Sequence, residues 1–209
     1  MSVPDQPDAP AKADATELLD RPEVWPVQSS QDLHRDGWIV ALRADQVTRP
    51  GVPEEPFRRL TLEHPGAVVV LALDEQDRVF CLRQYRHPAQ MSFVELPAGL
   101  RDADGEPPVE TARRELVEEA ELSAAHWREL LVTFPSAGIT SEEHHIFLAT
   151  GLTPHPRGDF ELHAEEAEMV AFWVPFTDLL GAVLEGRVRQ GPLVQAVLAT
   201  EVLRARGEI

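Results

Sequence analysis

The chain has 209 residues, 43% of them hydrophobic, and a formal net charge of −17. That size supports one domain with enough apolar residues for a core, with or without an appended arm. The acidic balance argues against nonspecific binding to nucleic acid or to an anionic membrane, because both attract basic surfaces. A lone cysteine, Cys81, cannot close an internal disulfide, so a reducing cytoplasm is expected. The first residues carry no apolar stretch of the secretory kind, and no apolar run approaches bilayer length.

In chain order, residues 1–22 are rich in Pro, Asp and Ala and predict a disordered tail. Strand-like pieces run from Val24 to about Arg49, including "GWIVALRADQV", and "FRRLTLEH" is a further strand candidate. The run "GAVVVLALD" suits a buried strand, "EQD" a turn, and "RVFCLRQYR" the returning hairpin partner. "PAGL" breaks the pattern. "PPVETARRELVEEAEL" is the clearest helix, with Pro107 and Pro108 at its start, where a missing N–H costs least. "WRELLVTFP" and "HHIFLAT" read as strands, and "RGDFELHAEEAEM" as an acidic loop before the strand "VAFWVP". Two helices, "FTDLLGAVLEG" and "GPLVQAVLATEVLRARG", complete the pass. Strands and helices interleave without a regular βαβ array, which predicts an α+β fold: a mixed β-sheet with helices on its faces.

The helix concentrates carboxylates that repel one another. At about 100° per residue, Glu118 and Glu119 fall about 60° behind and about 40° ahead of Glu115. Three carboxylates therefore share one face within a turn, while Leu116, Val117 and Ala120 point toward a core. Two readings follow. The face is solvated surface charge, or it holds a hard divalent cation such as Mg²⁺, which takes oxygen ligands and shares itself with substrate phosphates. Arg114 is placed to orient one carboxylate.

The wider pattern resembles the Nudix hydrolase signature. That signature is Gly, five residues, Glu, seven residues, then Arg-Glu-aliphatic-any-Glu-Glu-any-Gly-aliphatic. Here Glu106, Arg114, Glu115, Leu116, Glu118, Glu119 and Leu122 fall in register. The resemblance implies a Nudix fold, with the mixed sheet sandwiched between helices. "QYRHP", "ELPAGL", the paired "FRRLTLEH" and "GAVVVLALD", and "HAEEAEM" further resemble the ADP-ribose pyrophosphatase subfamily. Membership of that subfamily implies metal-dependent hydrolysis of ADP-ribose, or a related nucleoside diphosphate sugar, to AMP and a sugar phosphate. It also implies an N-terminal antiparallel β arm over 23–64 that forms a homodimer, with the catalytic domain over 65–209.

By the same resemblance Glu115 and Glu119 are metal ligands, Glu118 is a ligand or holds a metal water, and the Ala98 carbonyl is a further ligand. The metal is Mg²⁺, with Mn²⁺ as the alternative. Glu166 in the acidic loop is the base, with Glu165 and Glu168 as neighbours. Arg86, and more weakly Arg59, contact phosphate; Glu95 hydrogen-bonds substrate or a metal water; Trp38 stacks on adenine or packs in the dimer. No nucleic-acid or membrane partner is expected. The other class of function is a Nudix-fold sensor that binds a nucleotide without cleaving it, though such proteins commonly lose box glutamates.

Three positions depart from the family pattern. Gly99 precedes Glu106 by six residues instead of five. Glu121 stands where the signature closes on glycine, which predicts a different helix exit. Ala137 replaces a subfamily proline before Gly138, which leaves the preferred sugar nucleotide open. Ser141 and Glu142 keep the subfamily pattern, and His144 and His145 should point to opposite faces of a strand.

Overall fold

The computed structural model describes residues 18–37, 39–158 and 168–209. Three strands come first: β1 (Val27–His34), β2 (Ala41–Arg49) and β3 (Val52–Glu63), in the order β1-β2-β3. Pro50 and Gly51 join β2 to β3, and so tight a link makes those two strands antiparallel. Chain contacts divide the described residues into two compact units. The first ends at Ser30 and resumes over Asp45–Arg59. Within it, Ser30 Oγ donates to Asp45 Oδ1 at 2.7 Å, and the Trp25 and Phe57 rings meet edge to face at 6.3 Å. The second comprises Gln31–Ala44 and Leu60–Ile209 and carries the remaining elements.

Its centre is a four-stranded mixed sheet in the order β7-β4-β9-β8, made of β4 (Ala67–Ala72), β7 (Ala98–Leu100), β8 (Leu122–Thr133) and β9 (His144–Pro154). β4 runs parallel to β9, with Val69 opposite Ile146, and antiparallel to β7. A second sheet, β10-β5-β6, joins β5 (Arg78–Arg86), β6 (Met91–Glu95) and β10 (Val170–Pro175). The helices are α1 (Pro108–Ala120), α2 (Phe176–Leu184) and α3 (Gly191–Ala205).

The uninterrupted apolar run of β4 reflects burial on both faces. Val69 and Leu71, with Ile146 and Leu148 of β9, join a cluster with Phe176, Leu179 and Val183 of α2 and Leu193 and Val197 of α3. Val68, Val70 and Ala72, with Phe147 and Ala149, join the other cluster, which contains Ala112 and Leu116 of α1. The expected mixed sheet between helices is therefore present, and a second antiparallel sheet stands with it. Among the described residues no helix is long and apolar enough to cross a membrane.

Several boundaries differ from expectation. "PAGL" forms β7 instead of merely breaking the pattern, because Ala98–Leu100 pair with Ala67–Val69 in a ladder that three residues could not sustain alone. Met91–Glu95 forms β6 against β5. β8 starts at Leu122, well before "WRELL", as the edge strand of its sheet. The helix stops at Ala120.

Glu121 corrects the expected helix exit. It adopts φ 53° and ψ 39°, the left-handed geometry glycine would supply. Its amide donates to Val117 O at 3.0 Å and its carbonyl accepts from His155 N at 2.8 Å, so bonds on both sides hold it there. An L-residue pays about 1–2 kcal/mol in this region, and glycine returns part of that as chain entropy. Glu121→Gly is therefore expected to stabilise the protein by about 1 kcal/mol, read as a higher urea midpoint; an unchanged or lower midpoint would show that the exit carries no strain.

Candidate active site

α1 lays Ala112 and Leu116, both fully buried, against β4. Helical spacing then sets Glu115 and Glu119, one turn apart, beside that buried stripe, where each is only 8% exposed. The Ala98 amide donates to Glu119 Oε2 at 2.8 Å. On the next residue, a Cβ added to Gly99 would lie 2.0 Å from Glu115 Cδ. β7 can pass under the helix only because this position has no side chain, so the box glycine has a steric reason independent of its backbone angles.

Arg114 gathers the remaining charge. Its Nη1 lies 2.8 Å from Glu115 Oε1 and 3.1 Å from Glu118 Oε2, and its Nη2 lies 3.5 Å from Asp102 Oδ1. Burial alone would lower the guanidinium pKa, but Glu115, Glu118, Asp102 and Glu106 together hold it above its ordinary value. One cation thus relieves the crowding that the sequence displays. Glu106 is held separately, accepting from the buried Thr111 hydroxyl at 2.8 Å. That bond fixes the loop ahead of α1, whose first turn has no side-chain cap. Thr111 had no signal in the sequence: helical spacing puts it one turn before Glu115, on the carboxylate face.

Among the described residues, no three acidic, imidazole or thiol groups converge as a ready cation cage. The contacts explain this: Glu115 and Glu118 turn toward Arg114, and Glu119 toward the Ala98 amide. The donor chemistry still fits a hard divalent cation, since the predicted ligands are carboxylates and a backbone carbonyl without sulfur.

Arg86 and Glu95 meet directly across the β5–β6 hairpin. Arg86 Nε lies 3.0 and 3.2 Å from the two Glu95 oxygens, and Nη2 lies 2.6 Å from Oε2. The Glu95 side chain is 3% exposed and that of Arg86 is 47% exposed. A buried carboxylate thus anchors a guanidinium that reaches solvent, a geometry that fixes the fork's direction. Arg59 belongs to the first unit, where its guanidinium lies 4.4 Å over the Phe57 ring. Trp38, Glu165 and Glu166 lie outside the described residues, and Glu168 is exposed. A cleft of about 390 Å³ bounded by Val94, Phe172, Leu179 and Val188 includes none of the predicted site residues. Burial pushes the Cys81 thiol up to about 12, which keeps it protonated.

The histidines carry more than their sequence positions suggest. His144 Nε2 lies 2.8 Å from Glu142 Oε1, while His145, on the other face, lies 2.7 Å from both Glu129 and Glu143. His64 joins the first group, 3.8 Å from Glu142.

The NUDIX domain family matches residues 63–197. An ADP-ribose pyrophosphatase of Mycobacterium tuberculosis is 40% identical over 175 residues, covering 84% of this chain and 82% of the relative. An ADP-ribose pyrophosphatase of Bacillus subtilis is 34% identical over 117 residues, covering 56% of this chain and 62% of that protein. A crystal structure of an ADP compounds hydrolase superposes with a TM-score of 0.71 at 18% identity, covering 91% of this chain and all of the other.

The contact between Gly99 and Glu115 is testable by a double-mutant cycle. Gly99→Ala should cost about 1–3 kcal/mol through overpacking. In a Glu115→Ala background the same change should cost much less, because the obstructed carboxylate is gone. Additive losses in chemical denaturation would contradict the close approach.

Proposed function

The chain belongs to the NUDIX family and is a hydrolase of that family, and we propose that it cleaves the pyrophosphate bond of ADP-ribose or a related nucleoside diphosphate sugar. The products are a nucleoside monophosphate and a sugar phosphate. The observation that carries this reading is the junction of α1 with β7, where Glu115 and Glu119 lie against Gly99 and Ala98. The 40% identity to an ADP-ribose pyrophosphatase supports the choice of substrate.

Hydrolases of this family generally use a divalent metal; Glu115, Glu118, Glu119 and the Ala98 carbonyl would hold Mg²⁺ here, or Mn²⁺ in its place. When bound, such a cation neutralises the pyrophosphate and makes its phosphorus more open to attack. Arg114 restrains Glu115 and Glu118 through its ion pairs. Arg86, braced by Glu95, offers its fork to a phosphate, and Arg59 adds a weaker contact. Glu166 takes a proton from the attacking water. The new phosphorus–oxygen bond forms as the bridging oxygen leaves with the other phosphate. Trp38 stacks on the base, and residues 23–64 form the arm of a homodimer. The acidic surface suits a small-molecule hydrolase in a reducing cytoplasm, without nucleic-acid or membrane partners.

A product screen over nucleoside diphosphate derivatives, with and without Mg²⁺, tests this function. ADP-ribose should yield AMP and ribose 5-phosphate only with metal, and Glu166→Gln should lower turnover roughly 10²–10⁴-fold with metal affinity unchanged. If every compound survives with metal present, the hydrolytic reading fails and a nucleotide sensor replaces it. A faster reaction with another sugar nucleotide would move the substrate alone, and unaltered turnover in Glu166→Gln would move the base to Glu165 or Glu168.

A further inference from the structure

The segment leading into β9 is fastened to the end of β3. Leu62 N donates to Ile139 O at 2.7 Å, and Ser141 N donates back to Leu62 O at 3.2 Å. His64 N donates to Ser141 Oγ at 3.1 Å, and that hydroxyl lies 3.3 Å from His64 O. The His64 ring then closes the arrangement. Gly66 N donates to its Nδ1 at 3.1 Å, while its Nε2 lies 3.8 Å from Glu142 Oε1.

A backbone N–H can only donate, so Nδ1 must be bare and the ring's single proton must sit on Nε2, facing Glu142. A second proton on Nδ1 would set two donors against each other and break the Gly66 bond. Gly66 has little room to adjust. It has φ +93°, and a Cβ there would lie 2.9 Å from Glu143 O, the carbonyl that accepts from Ala67 N at 2.9 Å. His144 Nε2 engages the same oxygen, Glu142 Oε1, at 2.8 Å. His144 Nδ1 is buried with no hydrogen-bond partner among the described residues, so Glu142 is what holds that ring.

We propose that neutral His64 is a latch that pins residues 139–143 to the end of β3, and that its protonation releases the segment. Burial holds the His64 pKa below the usual imidazole range; Glu142 opposes that shift and His144 adds to it. The other charges nearby are already engaged. Glu143 meets His145 at 2.7 Å and Arg101 at 3.6 Å, His145 also meets Glu129, and Glu63 pairs with Arg35 and Arg43. A base with a lowered folded pKa loses stabilisation as pH falls from its free value, about 6.5, toward its folded value. Glu142 is lowered too, by the His144 hydrogen bond against burial, with the charges of His144 and His64 assisting, so its contribution fades only below the ordinary carboxylate value. The first loosening on acidification therefore belongs to His64. This inference does not depend on the proposed reaction.

Amide hydrogen exchange tests it. Protection at Leu62, Gly66 and Ser141, corrected for intrinsic rate, should fall about tenfold between about pH 7.5 and about pH 5.5. His64→Asn keeps an acceptor near the Nδ1 position but does not titrate, so its protection should match at both pH values. His144→Gln keeps a donor toward Glu142 and should retain the wild-type acid response. Equal wild-type protection at both values, or the same loss in His64→Asn, would overturn the latch. Ring nitrogen shifts of the unaltered protein give an independent reading: Nδ1 should be bare at about pH 7.5, and a protonated Nδ1 there would also overturn it.

Discussion

The hydrogen bond from the Ala98 amide to the Glu119 carboxylate ties α1 to β7, and the acidic turn depends on it. It couples two elements that could not hold each other by propensity alone. β7 has three residues and gains its place by pairing on β4. α1 gains its place by burying Ala112 and Leu116 against the same strand. β4 therefore orients both partners, and its burial on two faces makes it the reference for the site. The close fit of Gly99 under Glu115 follows from the same crossing.

Electrostatics sets the second constraint. Carboxylates on adjacent turns repel, and their burial strengthens the repulsion. Arg114 offsets this for Glu115 and Glu118, and a backbone amide offsets it for Glu119. These contacts turn the carboxylates toward different partners, and no three converge among the described residues. Their donor chemistry remains that of a hard-metal site. Arg86 and Glu95 follow the same rule on the other sheet, where a buried acid stabilises a cation that reaches solvent.

Much of this was legible in the residues. Paired prolines, apolar spacing and the box register located α1 and its three carboxylates, and the aliphatic run located β4. The parts that escaped depend on distant contacts. β6 and β7 are too short for a periodic signal, and their ladders come from β5 and β4. The mutual engagement of Arg86 and Glu95 needs the hairpin to be folded. His64 and Glu142 are far apart in the chain, and only the packing of β3 against the segment before β9 joins them. Glu121 misled for a different reason: a side chain that disfavours left-handed geometry still adopts it where hydrogen bonds on both sides demand it. Residues 159–167 of the acidic loop and Trp38 lie outside the described residues, so Glu166 rests on motif resemblance.

The central claim is that the α1–β7 junction is a divalent-cation site. Calorimetric titration of Mn²⁺ into the wild-type protein and into Glu119→Gln tests it most directly, with circular dichroism as a check that the fold persists. The account predicts saturable binding to the wild type, weakened at least about tenfold by the substitution. Equal affinity in the two proteins, or no binding to the wild type, would contradict it.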